Sequence, residues 1–68
     1  MNKFSERLKQ TLKNSNMSQS SLAKRINMSQ SIINNYCTGK REPTLDVLIL
    51  ICTTLGESAD YMLGIEED

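Results

Sequence analysis

An all-α domain of five short helices is what this sequence predicts, and three observations predict it. Apolar residues recur at three- and four-residue spacing, the period that gathers them on one side of a helix. No stretch alternates apolar and polar residues for more than a few positions, so strands are not expected. Breakers at Asn14-Ser15-Asn16, Asn27, Gly39 to Pro43 and Gly56 cut the chain into short segments, the pattern of a compact helical domain with brief connections.

Phe4, Leu8 and Leu12 stand four apart with Glu6, Arg7, Lys9, Gln10 and Lys13 between them, which predicts a first amphipathic helix over 3–14. The polar side chains of Asn14, Ser15 and Asn16 compete with the backbone for hydrogen bonds and end it. Ser18 is a good N-cap for a second helix over about 18–26, with Leu22, Ala23 and Ile26 on its apolar face. Asn27 tolerates the left-handed conformation that closes a helix. Ser29 caps a third helix to about residue 37, with Ile33 and Tyr36 inward. Gly39-Lys40-Arg41-Glu42-Pro43 reads as a loop, because glycine and proline resist helix and Glu42 is restricted by the proline after it. Thr44 caps a fourth helix to Leu55, closed by Gly56, and Ser58 starts a fifth that runs to Met62 or Leu63. Residues 64–68 are expected to fray as an acidic tail.

At 68 residues the chain makes one domain, 1–68, too small to enclose a deep pocket and keep a core. It has no His, no Trp and two Cys, which removes zinc-finger ligation, Ser-His-Asp chemistry and a disulfide-stapled scaffold. Without a metal-ligand cluster, a glycine-rich phosphate loop or a nucleophile paired with a base, neither enzyme activity nor a cofactor or metal is expected. The longest apolar run, Val47 to Cys52, is six residues, and the N-terminus lacks the apolar stretch of a signal peptide. A soluble, cytoplasmic protein without membrane contact is expected.

The net charge of zero conceals a segregation. All eight basic residues lie at or before Arg41 against Glu6 alone, so that segment carries +7, whereas 42–68 holds seven acidic residues and no basic one. A basic half points to a polyanionic partner, and an acidic half argues against indiscriminate polyanion binding.

Within residues 19–38, Leu22, Ile26, Met28, Ile33 and Tyr36 can converge on one core, and Ala23 is small enough to let the second helix approach the third closely. That spacing is the spacing of a helix-turn-helix, whose second member lies in the DNA major groove. The chain also resembles the lambda-repressor-like family of phage repressors, Cro proteins and bacterial regulators. The resemblance covers about residues 5–64 through Arg7-Leu8, Met17-Ser18-Gln19, Leu22-Ala23, Gly39 to Pro43, Leu55-Gly56 and Asp60 to Gly64. Asn27 replaces the common turn glycine, Cys37 stands where the family often has glutamate, and Glu57 replaces a residue it commonly buries. Cys37 reads as a half-buried small apolar residue rather than a redox switch.

With Ile33 and Tyr36 inward, the outward side of the third helix holds Gln30, Ser31, Asn34, Asn35 and, less obviously, Ile32. Amides match the paired donor and acceptor of adenine, hydroxyls serve any base, and an apolar group meets a thymine methyl. Gln30, Ser31, Ile32 and Asn35 are therefore the expected base readers, with Ile32 alternatively additional core. The resemblance implies phosphate contacts at Gln19, Thr38, Lys40 and Arg41. Ser18, at the start of the second helix, and Asn34 complete the expected phosphate set.

If Leu48, Cys52 and Leu55 face the core, Val47, Leu50 and Thr54 lie opposite on the fourth helix. With Met62 nearby they form the expected surface of a weak homodimer, since the resemblance implies dimerisation through the C-terminal region to read two half-sites. The sequence thus predicts a repressor-like, prokaryotic or phage regulator that binds a double-stranded DNA operator. The alternative is a protein-interaction module or antitoxin-type partner of the same fold. A possible protein partner or a missing C-terminal domain stays open, as do the operator and the choice of repression or activation.

Overall fold

The computed structural model describes residues 2–65, and among them five helices and no strands. These are α1 (Phe4–Asn14), α2 (Gln19–Arg25), α3 (Gln30–Thr38), α4 (Leu45–Leu55) and α5 (Ala59–Leu63). The predicted fold class and all five helices are present. Among the described residues no helix is long and apolar enough to cross a membrane.

Ser18, Ser29, Thr44 and Ser58 each accept a hydrogen bond at the side-chain oxygen from the backbone N–H three residues on, at 3.0–3.3 Å. Each start therefore satisfies one of the donors a helix leaves unpaired. α1 has no such cap; instead Asn2 Oδ1 accepts from the Phe4 N–H at 3.0 Å.

Every helix also ends in the same way. A left-handed residue (Asn16, Asn27, Gly39, Gly56, Gly64) is followed by an N–H that bonds to a carbonyl five residues back, as in Met17 to Leu12 and Met28 to Ala23. Asn27, at φ 58°, thus does the work of the glycine it replaces, because a short polar side chain tolerates this region. Gly64 has a second reason to be glycine: a Cβ there would lie 2.9 Å from Lys3 Cγ. Gly64 and Ile65 consequently form the closing turn of α5 rather than a frayed tail, with the Ile65 N–H on the Asp60 carbonyl at 2.9 Å. The rest of the expected tail, 66–68, lies outside the described residues.

The core gathers Phe4, Leu8 and Leu12 of α1, Leu22 and Ala23 of α2 with Ile26 at its end, Ile33, Tyr36 and Cys37 of α3, Leu48, Ile51 and Cys52 of α4, and Met62 of α5. α1 and α2 both pack on α3, and α5 packs on α1 and α4. Arg7 is part of this architecture: its Nη1 donates to the Tyr61 carbonyl at 2.8 Å and its guanidinium lies 4.2 Å over the Tyr61 ring, tying α1 to α5.

Two expectations about the core change. Met62 is fully buried, so its side chain cannot lie on a dimer surface. On α4 the buried stripe includes Ile51, which rotates the wet side. Val47 and Thr54 fall at the edge of the stripe and are half-buried, whereas Leu45, Ile49 and Leu50 stand in water. Of the four residues expected at a dimer surface, only Leu50 is exposed.

Candidate nucleic-acid interface

α3 is fixed in rotation by three buried residues, Ile33, Tyr36 and Cys37. Phe4 presses edge-on against Tyr36, with ring centroids 6.2 Å apart, so α1 locks the inner face from behind. The opposite side presents Gln30, Ser31 and Asn34 exposed and Asn35 half-buried. Ile32 is half-buried and packed against the core, which places it between the two roles the sequence allowed. α3 spans nine residues, and a helix about 10–12 Å across with its side chains fits a major groove about 12 Å wide.

At the C-terminal end of α3 the chain turns sharply under the control of one carbonyl. The Asn35 carbonyl accepts from the Lys40 N–H at 3.0 Å, the Arg41 N–H at 3.3 Å and the Thr38 hydroxyl at 3.3 Å. Lys40 and Arg41 are exposed, and this hub fixes their backbone beside the end of the helix. Thr38 therefore already donates its hydroxyl proton within the protein, which leaves it an acceptor and weakens its expected role at a phosphate. Farther along, Asn2 Nδ2 donates to Glu42 Oε2 at 3.0 Å, pinning the far end of the loop to the N-terminus.

On the other flank, Asn34 Nδ2 donates to Gln19 Oε1 at 3.2 Å, so the start of α2 meets the outward side of α3 directly. Ser18 Oγ accepts the Ser21 N–H and keeps its own proton to donate. Ser18, Gln19 and Asn34 thus cluster on one flank, with Lys40 and Arg41 at the end of α3. No pattern of spacing could have revealed the Gln19–Asn34 bond, because it joins residues 15 apart on two different helices.

Both cysteines are buried, and burial pushes both thiols up; Lys9 partly offsets this at Cys37, and Glu57 adds to it at Cys52. A raised thiol pKa means little thiolate, so both sites are inert while folded. Near pH 8 the native protein should alkylate far more slowly than the same chain in denaturant, with the rate set by opening of the fold; equal rates would refute this. Glu57 itself is half-buried between α4 and α5, and the two helices still pack.

Comparison with known proteins gives three findings. A family model described as helix-turn-helix matches residues 8–62. A curated relative, the uncharacterized HTH-type transcriptional regulator YobD of Bacillus subtilis (strain 168), is 29% identical over 65 residues, which is 96% of this chain and 58% of that protein. The crystal structure of a transcriptional regulator from Listeria innocua superposes with a TM-score of 0.87 at 22% identity, covering 100% of this chain and 64% of its own, a likeness of fold. The chain thus spans roughly three-fifths of the length of each.

Proposed function

The chain belongs to the helix-turn-helix family, of the lambda-repressor-like kind, and from that premise we propose that it is a sequence-specific double-stranded DNA-binding regulator, repressor-like, that reads the major groove with α3 and catalyses no reaction. One observation carries this reading: a helix locked on its inner face by three buried residues turns an uncharged row of amides and a hydroxyl outward, with cations fixed at its end. Uncharged groups suit base edges and the flanking cations suit phosphates, so reading and positioning are divided between different residues. Relatives whose names mark them as transcriptional regulators support the same role.

The proposed assembly is a homodimer. The longest dimension of the domain, 28 Å, is shorter than the roughly 34 Å between half-sites one turn apart, so one copy reads one half-site. The exposed apolar residues Leu45, Ile49 and Leu50 of α4 supply the face for a second copy. Leu45 also borders an apolar recess of about 180 Å³ lined by Phe4, Pro43, Leu48 and Leu63.

Selection of preferred sites from random duplex DNA, followed by point variants, tests the division of labour. Gln30→Ala and Asn35→Ala should each cost about 1–3 kcal/mol on the selected site and little on random DNA. Lys40→Ala should weaken both alike. If Gln30→Ala lowers affinity equally for every sequence, α3 is not the reader. An unchanged random pool after selection would favour the protein-partner alternative.

A further inference from the structure

Asn34 stands among the residues expected to touch a phosphate, but its hydrogen bond gives it different work. It lies on α3, and its Nδ2 donates to Oε1 of Gln19, the first residue of α2, at 3.2 Å. A carboxamide offers an acceptor on one side and two donors on the other. Phosphate oxygens accept and do not donate, so Gln19 can serve a phosphate only through Nε2. Turned the other way, it would set its oxygen against an anion. An isolated glutamine side chain adopts both orientations. Here Oε1 is occupied by Asn34, which turns Nε2 away from α3 as the free end of the amide. The same bond uses one of the two Asn34 Nδ2 hydrogens and turns that nitrogen toward Gln19.

We infer that Asn34 is a positioning residue: it holds the Gln19 amide with its donors toward a DNA phosphate and so couples the backbone contact of α2 to the placement of the reading helix, without touching DNA itself. This rests on the DNA-binding reading above. It also predicts that the contribution of Asn34 is independent of base sequence, because it acts through a group that meets only the backbone.

The experiment is a double-mutant cycle in the intact chain, measured as equilibrium affinity for the selected duplex and for single-base variants of it. Gln19→Ala should weaken binding about ten- to hundredfold, the range of one lost hydrogen bond to a charged acceptor, and Asn34→Ala by no more than that. The double variant should be no weaker than Gln19→Ala alone, since Asn34 then has nothing to orient. Asn34→Asp should be worse than Asn34→Ala by a larger factor with Gln19 present than in the Gln19→Ala background, where only simple charge repulsion remains. A carboxylate accepts the Gln19 amide hydrogens and turns its oxygen to the DNA. In the alanine variants, preference among base variants, the slope of affinity against salt and the thermal midpoint should all stay as in the parent, because neither residue is charged or buried. Additive losses would show Asn34 touching DNA directly, and a changed preference at one base pair would make it a reader; either overturns the inference. A parent protein without salt-sensitive duplex binding would instead overturn the reading beneath it.

Discussion

Raising salt from about 50 to about 200 mM should lower affinity for the selected duplex by roughly a hundredfold to a thousandfold. Each phosphate neutralised by Lys or Arg releases condensed counterions, and about four to six such contacts across a dimer give a slope of about −4 to −5 in log affinity against log salt. Lys40 and Arg41 should be the first contributors, held beside the end of α3 by the Asn35 carbonyl. Arg7 is not among them, because its guanidinium is bound to the Tyr61 carbonyl and ring. Lys3 packs its stem over Gly64 beside α5. The charge expected to meet DNA is therefore smaller than the +7 of the basic segment. Lys40→Ala should flatten the slope by about two in a dimer, one per copy. A slope near zero, or affinity for heparin equal to affinity for duplex, would sink the assignment of this face.

The helix boundaries were legible because the residues that set them act locally. A serine or threonine at each of four starts and an asparagine or glycine at four of the five ends make their bonds within one turn, so type and position suffice to find them; Gly64 closes α5 in the same way where a frayed tail was expected. The rotation of α3 was legible for a related reason: Ile33 and Tyr36 are large and apolar among polar neighbours, so only one face can be inward. α4 lacks that contrast. Its run of Val47, Leu48, Ile49, Leu50, Ile51 and Cys52 is apolar on every side, and the 100° step fixes a face only once one buried residue is known. Choosing Leu48, Cys52 and Leu55 without Ile51 displaced the expected wet side toward Val47 and Thr54. The contacts of Gln19 with Asn34 and of Asn2 with Glu42 join polar surface residues across the fold, and no periodicity marks them.

Ile49→Glu should leave helix content and melting temperature nearly unchanged while abolishing cooperative occupancy of a site with two half-sites. Ile49 is 61% exposed, Leu45 78% and Leu50 43%, so a charge at Ile49 displaces no core contact and should alter stability by at most about 0.5 kcal/mol. The same charge placed at a two-fold interface appears twice, each copy desolvated against an apolar partner and close to Asp46 of its own helix. Losing the second copy turns a two-point attachment into a single one, and affinity for the paired site should fall roughly a hundredfold or more toward the affinity of one half-site. Salt separates this effect from the DNA contact. Moderate salt screens acidic groups such as Asp46 and strengthens association of the free protein, whereas the same salt weakens binding to DNA. Leu50→Glu should behave like Ile49→Glu, since both stand on the wet side of α4. If both variants still bind cooperatively, the second copy docks elsewhere, and Ile65, 71% exposed at the closing turn of α5, is the next residue to change. If either variant unfolds, that face of α4 belongs to the core, and the dimer reading falls with it.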